Sequence, residues 1–262
     1  MNQESHKDLV PERQKRVLSM IRTRGAVRVD ELCESLGVSP ATVRRDLELL
    51  EKEGACRRVH GGAVTGGALL DEPLFDDKTE VAGAQKRSIA RAALEQIQEG
   101  DTVFLDGGST LLDLARLLRD RTDITVVTNS LRAAVELATS GPRLILLGGE
   151  LRRRSQTITG ALTRKLLESL FLDVAFMGTI GVSDEVLTTT DPGEAYTKEL
   201  VMSRSRRVVL LADSTKVGKV SVAHAGDLKA VDLFITDDHV DRGYLRRISK
   251  AGVVVQVVAT DG

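Results

Sequence analysis

The stretch from Ser39 to Ala63, SPATVRRDLELLEKEGACRRVHGGA, constrains the fold more tightly than any other part of the chain. Ser39 is a residue type that caps helix N-termini, and Pro40 suits the first helical position, where its missing N–H costs nothing. Val43, Leu47 and Leu50 recur at helical spacing and form one apolar stripe, while Thr42, Arg44 and Arg45 lie off that stripe near the helix start. Gly54 is placed to end the helix. Cys56-Arg57-Arg58-Val59 and Ala63-Val64 then flank a His60-Gly61-Gly62 turn, the pattern of a short basic hairpin.

The residues upstream complete a unit. Pro11 to Arg24 reads as a helix with Val17, Leu18 and Ile21 on one side, closed by Gly25. Val29, Leu32 and Leu36, with Cys33 beside them, mark a short second helix. Gly37-Val38-Ser39 turns into the third. Helix, short helix, glycine-containing turn, helix and hairpin is the order of a winged helix-turn-helix, whose third helix presents its N-terminal residues to base edges in the major groove. Two arginines by themselves would read as a solvated face; the full arrangement points to duplex DNA as partner. Ser39, Thr42, Arg44 and Arg45 on the helix, and Arg57, Arg58 and His60 on the hairpin, are the expected DNA-binding residues.

At these positions the chain resembles the DeoR family of bacterial sugar-metabolism repressors. The resemblance rests on Glu12-Arg13-Gln14, Gly37-Val38-Ser39, Thr42-Val43-Arg44-Arg45-Asp46-Leu47, Leu50-Glu51, Gly54, and Arg58 with His60-Gly61-Gly62-Ala63.

Bulk charge does not announce a nucleic-acid binder, because the net charge is -1. Clustering does: from Arg13 to Arg28 there are six basic residues and no acidic one, and phosphate contacts depend on local charge. Aromatic residues make up only 3% and tryptophan is absent, which argues against base-stacking platforms for single strands or RNA. The opening MNQESHKDLV is polar and lacks the apolar core of a signal peptide, and no apolar run approaches a membrane span, so a cytoplasmic protein with no membrane partner is expected. The two cysteines, Cys33 and Cys56, have no histidine ligands near them in sequence. They are read as reduced, buried or half-buried thiols rather than a metal site.

The domains are expected at 10–65 for the winged unit, 66–84 for a linker, and 85–262 for an α/β domain that binds an effector and oligomerises. The linker contains Gly66-Gly67, Glu72-Pro73 and the acidic pairs Asp71-Glu72 and Asp76-Asp77. Glu72-Pro73 matches the family; the arginine that commonly follows is replaced here by Lys78. Beyond it, helical patterns alternate with short continuous apolar strands, the signature of a mostly parallel sheet covered on both faces. Strands are expected at Thr102–Leu105, Ile124–Val127, Leu144–Leu147, Val174–Met177, Val208–Leu211, Leu233–Thr236 and Val253–Val258.

In such sheets ligands bind beyond the carboxyl ends of the strands, and polar residues gather there. Asp106-Gly107-Gly108-Ser109-Thr110 leads from a strand directly into a helix, an arrangement able to cradle phosphate with N–H groups and hydroxyls. It lacks the lysine and spacing of a P-loop. Thr128-Asn129-Ser130, Gly148-Gly149, Gly178-Thr179 and Asp213-Ser214-Thr215-Lys216 follow other strands, and Thr188-Thr189-Thr190-Asp191 precedes Glu194 and Lys198. The expected effector-binding set is therefore Asp106, Gly107, Gly108, Ser109, Thr110, Thr128, Asn129, Ser130, Gly148, Gly149, Asp191, Glu194 and Lys216. Lys216 and the helix N-terminus would hold a phosphate, and the carboxylates would accept from sugar hydroxyls. His239, in Thr-Asp-Asp-His-Val-Asp, is read as part of a helix cap rather than a metal ligand, and no cofactor is expected.

The DeoR resemblance extends over these segments, at Asp106–Thr110, Thr128–Ser130, Leu147–Gly149, Leu187–Ala195 and Asp213–Lys216. It implies a sensor domain similar in fold to ribose-phosphate isomerases and glucosamine-phosphate deaminases that recognises phosphorylated sugars or related metabolites. It also implies a repressor of a carbohydrate operon rather than an enzyme. Because one winged unit buries little DNA-contact surface, pairing of units across half-sites is expected, as a homo-oligomer, a dimer or a tetramer. The alternative is a sugar-phosphate isomerase or deaminase carrying a DNA-binding module, with Lys216 and the carboxylates as acid and base.

Overall fold

The computed structural model describes residues 10–24, 26–52, 56–59, 61–65, 75, 81–139 and 141–260. The chain divides into two compact units, one built from Met1–Asp71 with Val220–Val222 and a second built from Glu72–Lys219 and Ala223–Gly262.

The first unit contains α1 (Val10–Arg24), β1 (Ala26–Arg28), α2 (Val29–Leu36), α3 (Pro40–Lys52), β2 (Cys56–Val59) and β3 (Gly62–Thr65). Val17 and Ile21 of α1, Leu32 of α2 and the Val43–Leu47–Leu50 stripe of α3 are buried together with Val27, Cys56 and Ala63. Each of the buried Val, Leu and Ile side chains stabilises the unit by about 1.5–3 kcal/mol relative to exposure. The strands form an antiparallel sheet in the order β1-β3-β2. The hairpin expected from the basic run is β2–β3; β1 is an addition, since a three-residue strand carries no readable alternation. Gly62 is required there: a Cβ would lie 2.3 Å from the carbonyl oxygen of Val27 on the paired strand. Gly25, Gly54 and His60, and most of the expected linker including Lys78, lie outside the described residues.

The second unit is a seven-stranded sheet in the order β15-β14-β12-β9-β4-β5-β6, every neighbouring pair parallel. Its strands are β4 (Thr102–Leu105), β5 (Thr125–Thr128), β6 (Arg143–Leu146), β9 (Leu172–Met177), β12 (Ser205–Leu211), β14 (Leu233–Asp237) and β15 (Val254–Val258). Alternate residues of one strand enter different cores. Val103 and Leu105 pack with α4 (Gly83–Leu94), α5 (Ser109–Leu117) and α6 (Leu131–Leu137), whereas Phe104 packs on the face shared with α7 (Ala161–Leu167), α8 (Pro192–Ser203) and α9 (Arg242–Lys250). Burial on both faces is why the inner strands read as unbroken apolar runs, whereas the edge strands β6 and β15 are partly exposed. Two smaller antiparallel sheets accompany it: the hairpin β7–β8 (Glu150–Arg152, Thr157–Thr159), and β10 (Gly181–Val182), β11 (Val186–Thr189) and β13 (Ala223–Asp227).

Strand order places the site. From β4 the chain moves outward through β5 to β6, then returns to the other side of β4 with β9. The crevice between the carboxyl ends of β4 and β9 is thus a topological switch point, where open α/β sheets bind ligands. No described helix is long and apolar enough to cross a membrane.

Candidate functional site

In the first unit, Ser39 Oγ accepts from the backbone N–H of Thr42 at 3.2 Å and lies 2.9 Å from Thr42 Oγ1, so both residues organise the start of α3. Arg44 and Arg45 are exposed beside it. Their neighbour Asp46 is buried, 2% exposed, and held by a two-pronged pair in which Arg13 Nε and Nη2 donate at 2.6 and 3.0 Å. This pair locks α1 to α3. Arg58 is exposed on β2, its backbone N–H donating to Glu51 Oε1 at 2.7 Å, which ties the hairpin to α3. The Arg57 side chain and the whole of His60 lie outside the described residues. Cys56 is buried, with its thiol 3.6 Å from the carbonyl of Leu47. Burial, aided by the nearby Glu51 carboxylate, pushes this thiol up to about 11 from 9.0, against the opposing pull of Arg58.

In the second unit a cavity opens at the switch point. Of the residues expected from the sequence, Asp106, Gly107, Gly108, Ser109, Thr110, Asn129, Glu194 and Lys216 line it. Gly108, at φ +149°, begins α5, and Ser109 and Thr110 occupy its first turn, whose N–H groups lack partners within the helix. Gly107 must be glycine for the wall to close: a Cβ would sit 2.1 Å from Cγ2 of Thr157.

Five expected residues do not line the cavity, and each has a structural role instead. Thr128 Oγ1 donates to the carbonyl of Leu105 at 2.6 Å and accepts from the N–H of Ser130, bracing β5 on β4. Ser130 caps α6 by accepting from Ala133 N–H. The Gly148 carbonyl accepts from Thr163 Oγ1 at 2.8 Å. Gly149 packs so closely that a Cβ would meet the Thr159 carbonyl oxygen at 2.3 Å. Asp191 caps α8 by accepting from Glu194 N–H at 2.9 Å, and its carboxylate lies 3.4 Å from Arg152.

The carboxylates that do line the cavity are already engaged. Asp106 Oδ2 accepts from the N–H of Gly178 at 3.0 Å and pairs with Lys198 Nζ, which also donates to the Gly178 carbonyl at 3.0 Å. Glu194 Oε1 accepts from Thr157 Oγ1 at 2.7 Å and Arg152 Nη1 at 3.4 Å, and Oε2 from Thr189 Oγ1 at 3.1 Å. These bonds knit β4, β9, α8 and the β7–β8 hairpin into one wall, and they engage carboxylates that the sequence leads one to expect at ligand hydroxyls. Asn129 is the exception. It is 2% exposed, it faces the cavity, and its Oδ1 has no hydrogen-bond partner among the described residues.

Several lining residues were missed. Lys198 lines the cavity although it is outside the expected set; it lies four residues after Glu194, and a helix brings residues four apart to one face. Lys86 lines the cavity and is 3% exposed, its Nζ donating to the Val81 carbonyl at 2.5 Å. Its signal was readable: it falls on the same helical stripe as Ile89, Ala90 and Ala93, where a lysine is out of place. Ser155 and Thr157 arrive on the hairpin and Phe75 on the segment before α4. At the other edge, Asp237, Asp238 and His239 bring potential ligand atoms within 4.8 Å of one another. Asp237 Oδ1 accepts the His239 N–H at 3.0 Å and its Oδ2 accepts the Ser214 N–H at 2.6 Å, so this carboxylate organises two turns.

Residues 13–66 match the DeoR-like helix-turn-helix domain, and residues 82–238 match the DeoR C-terminal sensor domain. The chain is 38% identical over 248 residues to the HTH-type transcriptional regulator GlpR of Haloferax volcanii, covering 94% of this chain and 97% of that protein. It is 35% identical over 223 residues to the glycerol-3-phosphate regulon repressor of Escherichia coli, covering 84% of this chain and 88% of that one. Among solved structures, ribose 5-phosphate isomerase A of Methanocaldococcus jannaschii aligns over 50% of this chain and 53% of its own, at 20% identity and a TM-score of 0.36. With both family domains in place and relatives matching it nearly end to end, the chain belongs to the DeoR family of transcriptional regulators.

Proposed function

We propose that this regulator is a repressor of a carbohydrate-metabolism operon, released from its operator when a phosphorylated sugar or polyol enters the switch-point cavity. The observation that carries the reading is that Asn129, whose buried Oδ1 has no hydrogen-bond partner among the described residues, lines the same cavity as the first turn of α5. A buried acceptor without a donor costs about 1–3 kcal/mol, a cost removed when a ligand hydroxyl donates to it. The α5 N–H groups, with Ser109, Thr110 and Lys216, suit a phosphate. The printed name of the Escherichia coli relative, a glycerol-3-phosphate regulon repressor, agrees with a phosphorylated polyol.

On DNA, α3 enters the major groove with Thr42, Arg44 and Arg45 at base edges. Ser39 organises the helix start, and Arg57, Arg58 and His60 on the hairpin approach the backbone. Calorimetry against sugar phosphates and their unphosphorylated parents tests the effector class; equal affinity for both forms overturns it. Lys216→Ala is expected to keep operator binding and to lose the effector response, which corresponds to a coupling of about 1–3 kcal/mol. Undiminished release of Lys216→Ala from operator DNA by effector would reject the assignment.

A further inference from the structure

Phe75 stands out because of where it lies in the chain. It belongs to the segment between β3 and α4, yet it is 3% exposed and forms part of the cavity wall. Arg132 on α6 holds it, with the guanidinium carbon 5.5 Å from the ring centroid. The same guanidinium donates from Nε to Gln156 Oε1 at 2.6 Å. Gln156 has a left-handed backbone, φ +56°, that a side-chain-bearing residue adopts only when its surroundings enforce it. The enforcement is visible: its N–H donates to the Arg152 carbonyl at 2.8 Å and its carbonyl accepts from Leu131 at 2.9 Å. Gln156 lies between Ser155 and Thr157, which both line the cavity and share a 2.8 Å hydrogen bond. A molecule seated against Ser155 and Thr157 therefore presses on a strained residue, and that residue is fastened through Arg132 to Phe75. Lys86 is a second link to the same segment, since its Nζ spans from the cavity to the carbonyl of Val81.

We infer that Phe75, clamped by Arg132 to the hairpin tip at Gln156, is the positioning residue through which the segment leading to the DNA-binding unit reads whether the cavity is occupied. The inference rests on the effector site proposed above and names how that site is regulated. A phosphorylated ligand displaces the ring or tightens it against the wall. Coupling requires that the two ring positions differ both in ligand affinity and in operator affinity.

The absence of tryptophan makes the test direct, because Phe75→Trp introduces a sole indole at the wall. The probes are sn-glycerol 3-phosphate, fructose 6-phosphate and inorganic phosphate, titrated into the full chain. The emission of Phe75→Trp should change saturably, with the midpoint that calorimetry gives for the same probe. Phe171→Trp, at a position 81% exposed, should stay flat. Arg132→Met guards against a Phe75 variant that fails to fold. It should bind operator without ligand as the parent does and keep its calorimetric affinity for the probe, yet lose about tenfold of the ligand-induced drop in operator affinity. A merely structural arginine would lower both affinities together. Calorimetric binding with silent Phe75→Trp emission, or a full operator response in Arg132→Met, overturns the inference and leaves the effector site standing. Absence of binding by every probe overturns both.

Discussion

Arg45 and Asp46 are adjacent in the chain and have opposite fates: one faces solvent at the head of α3 and the other is buried against Arg13. Helical geometry turns neighbouring side chains about 100° apart, so a recognition face and a core anchor can alternate along one turn. Arg45→Ala should lower operator affinity by about 1–3 kcal/mol, the range for a bidentate base contact, with an unchanged melting temperature. Footprinting and calorimetric melting check the two halves. Asp46→Ala should do the reverse at first instance, destabilising the winged unit by about 3 kcal/mol because it leaves a largely buried guanidinium without its carboxylate; urea unfolding measures this. Cys56 adds a pH signature. Its thiol is pushed up from 9.0 to about 11, so the fold favours the neutral form. That contribution is whole below pH 9.0 and is lost as pH rises toward about 11. The stability difference between the parent and Cys56→Ala should shrink over that window, and a difference that stays constant with pH would contradict the assignment.

At the scale of elements, legibility followed burial pattern. The five inner parallel strands could be read because burial on both faces makes each a continuous apolar run, and the edge strands β6 and β15 could be read because they too are rich in aliphatic residues although partly exposed. The hairpin β7–β8 and the β10-β11-β13 sheet were not read. Thr157–Thr159 is a three-residue, polar strand, and Gly181–Val182 is too short to show any period. This omission cost the site reading most, because the hairpin delivers Ser155 and Thr157 to the cavity and shapes its wall opposite Gly107. Gly107→Ala tests that close approach. Its Cβ would collide with Thr157, which should destabilise the domain by about 1–3 kcal/mol and weaken effector binding, while operator binding without effector is retained. Thermal melting and calorimetry on one preparation separate the effects.

At the scale of the molecule, one winged unit makes a small DNA contact, and repressors of this architecture gain affinity by placing two units on two half-sites. The full chain is therefore expected to be a dimer or tetramer, with operator half-sites about one helical turn, or a multiple of it, apart. Light scattering that returns a monomer at the concentrations where operator is bound would count against this.

The sequence alone determined the two-domain plan, the helix-turn-helix register and the strand-to-helix turn at Asp106–Thr110. Local rules govern these features: capping, 3.6-residue periodicity, and unbroken apolar strands. Only the tertiary structure decided which polar residues share the cavity. Asp106 meets Lys198 and Glu194 meets Thr157 across large separations in the chain, while Thr128, Ser130 and Asp191, equally promising in sequence, are consumed by braces and caps. A polar residue at a strand end looks the same in sequence whether it satisfies the protein's own backbone or awaits a ligand. The difference lies in whether folding supplies it a partner, and folding left Asn129 Oδ1 without one among the described residues.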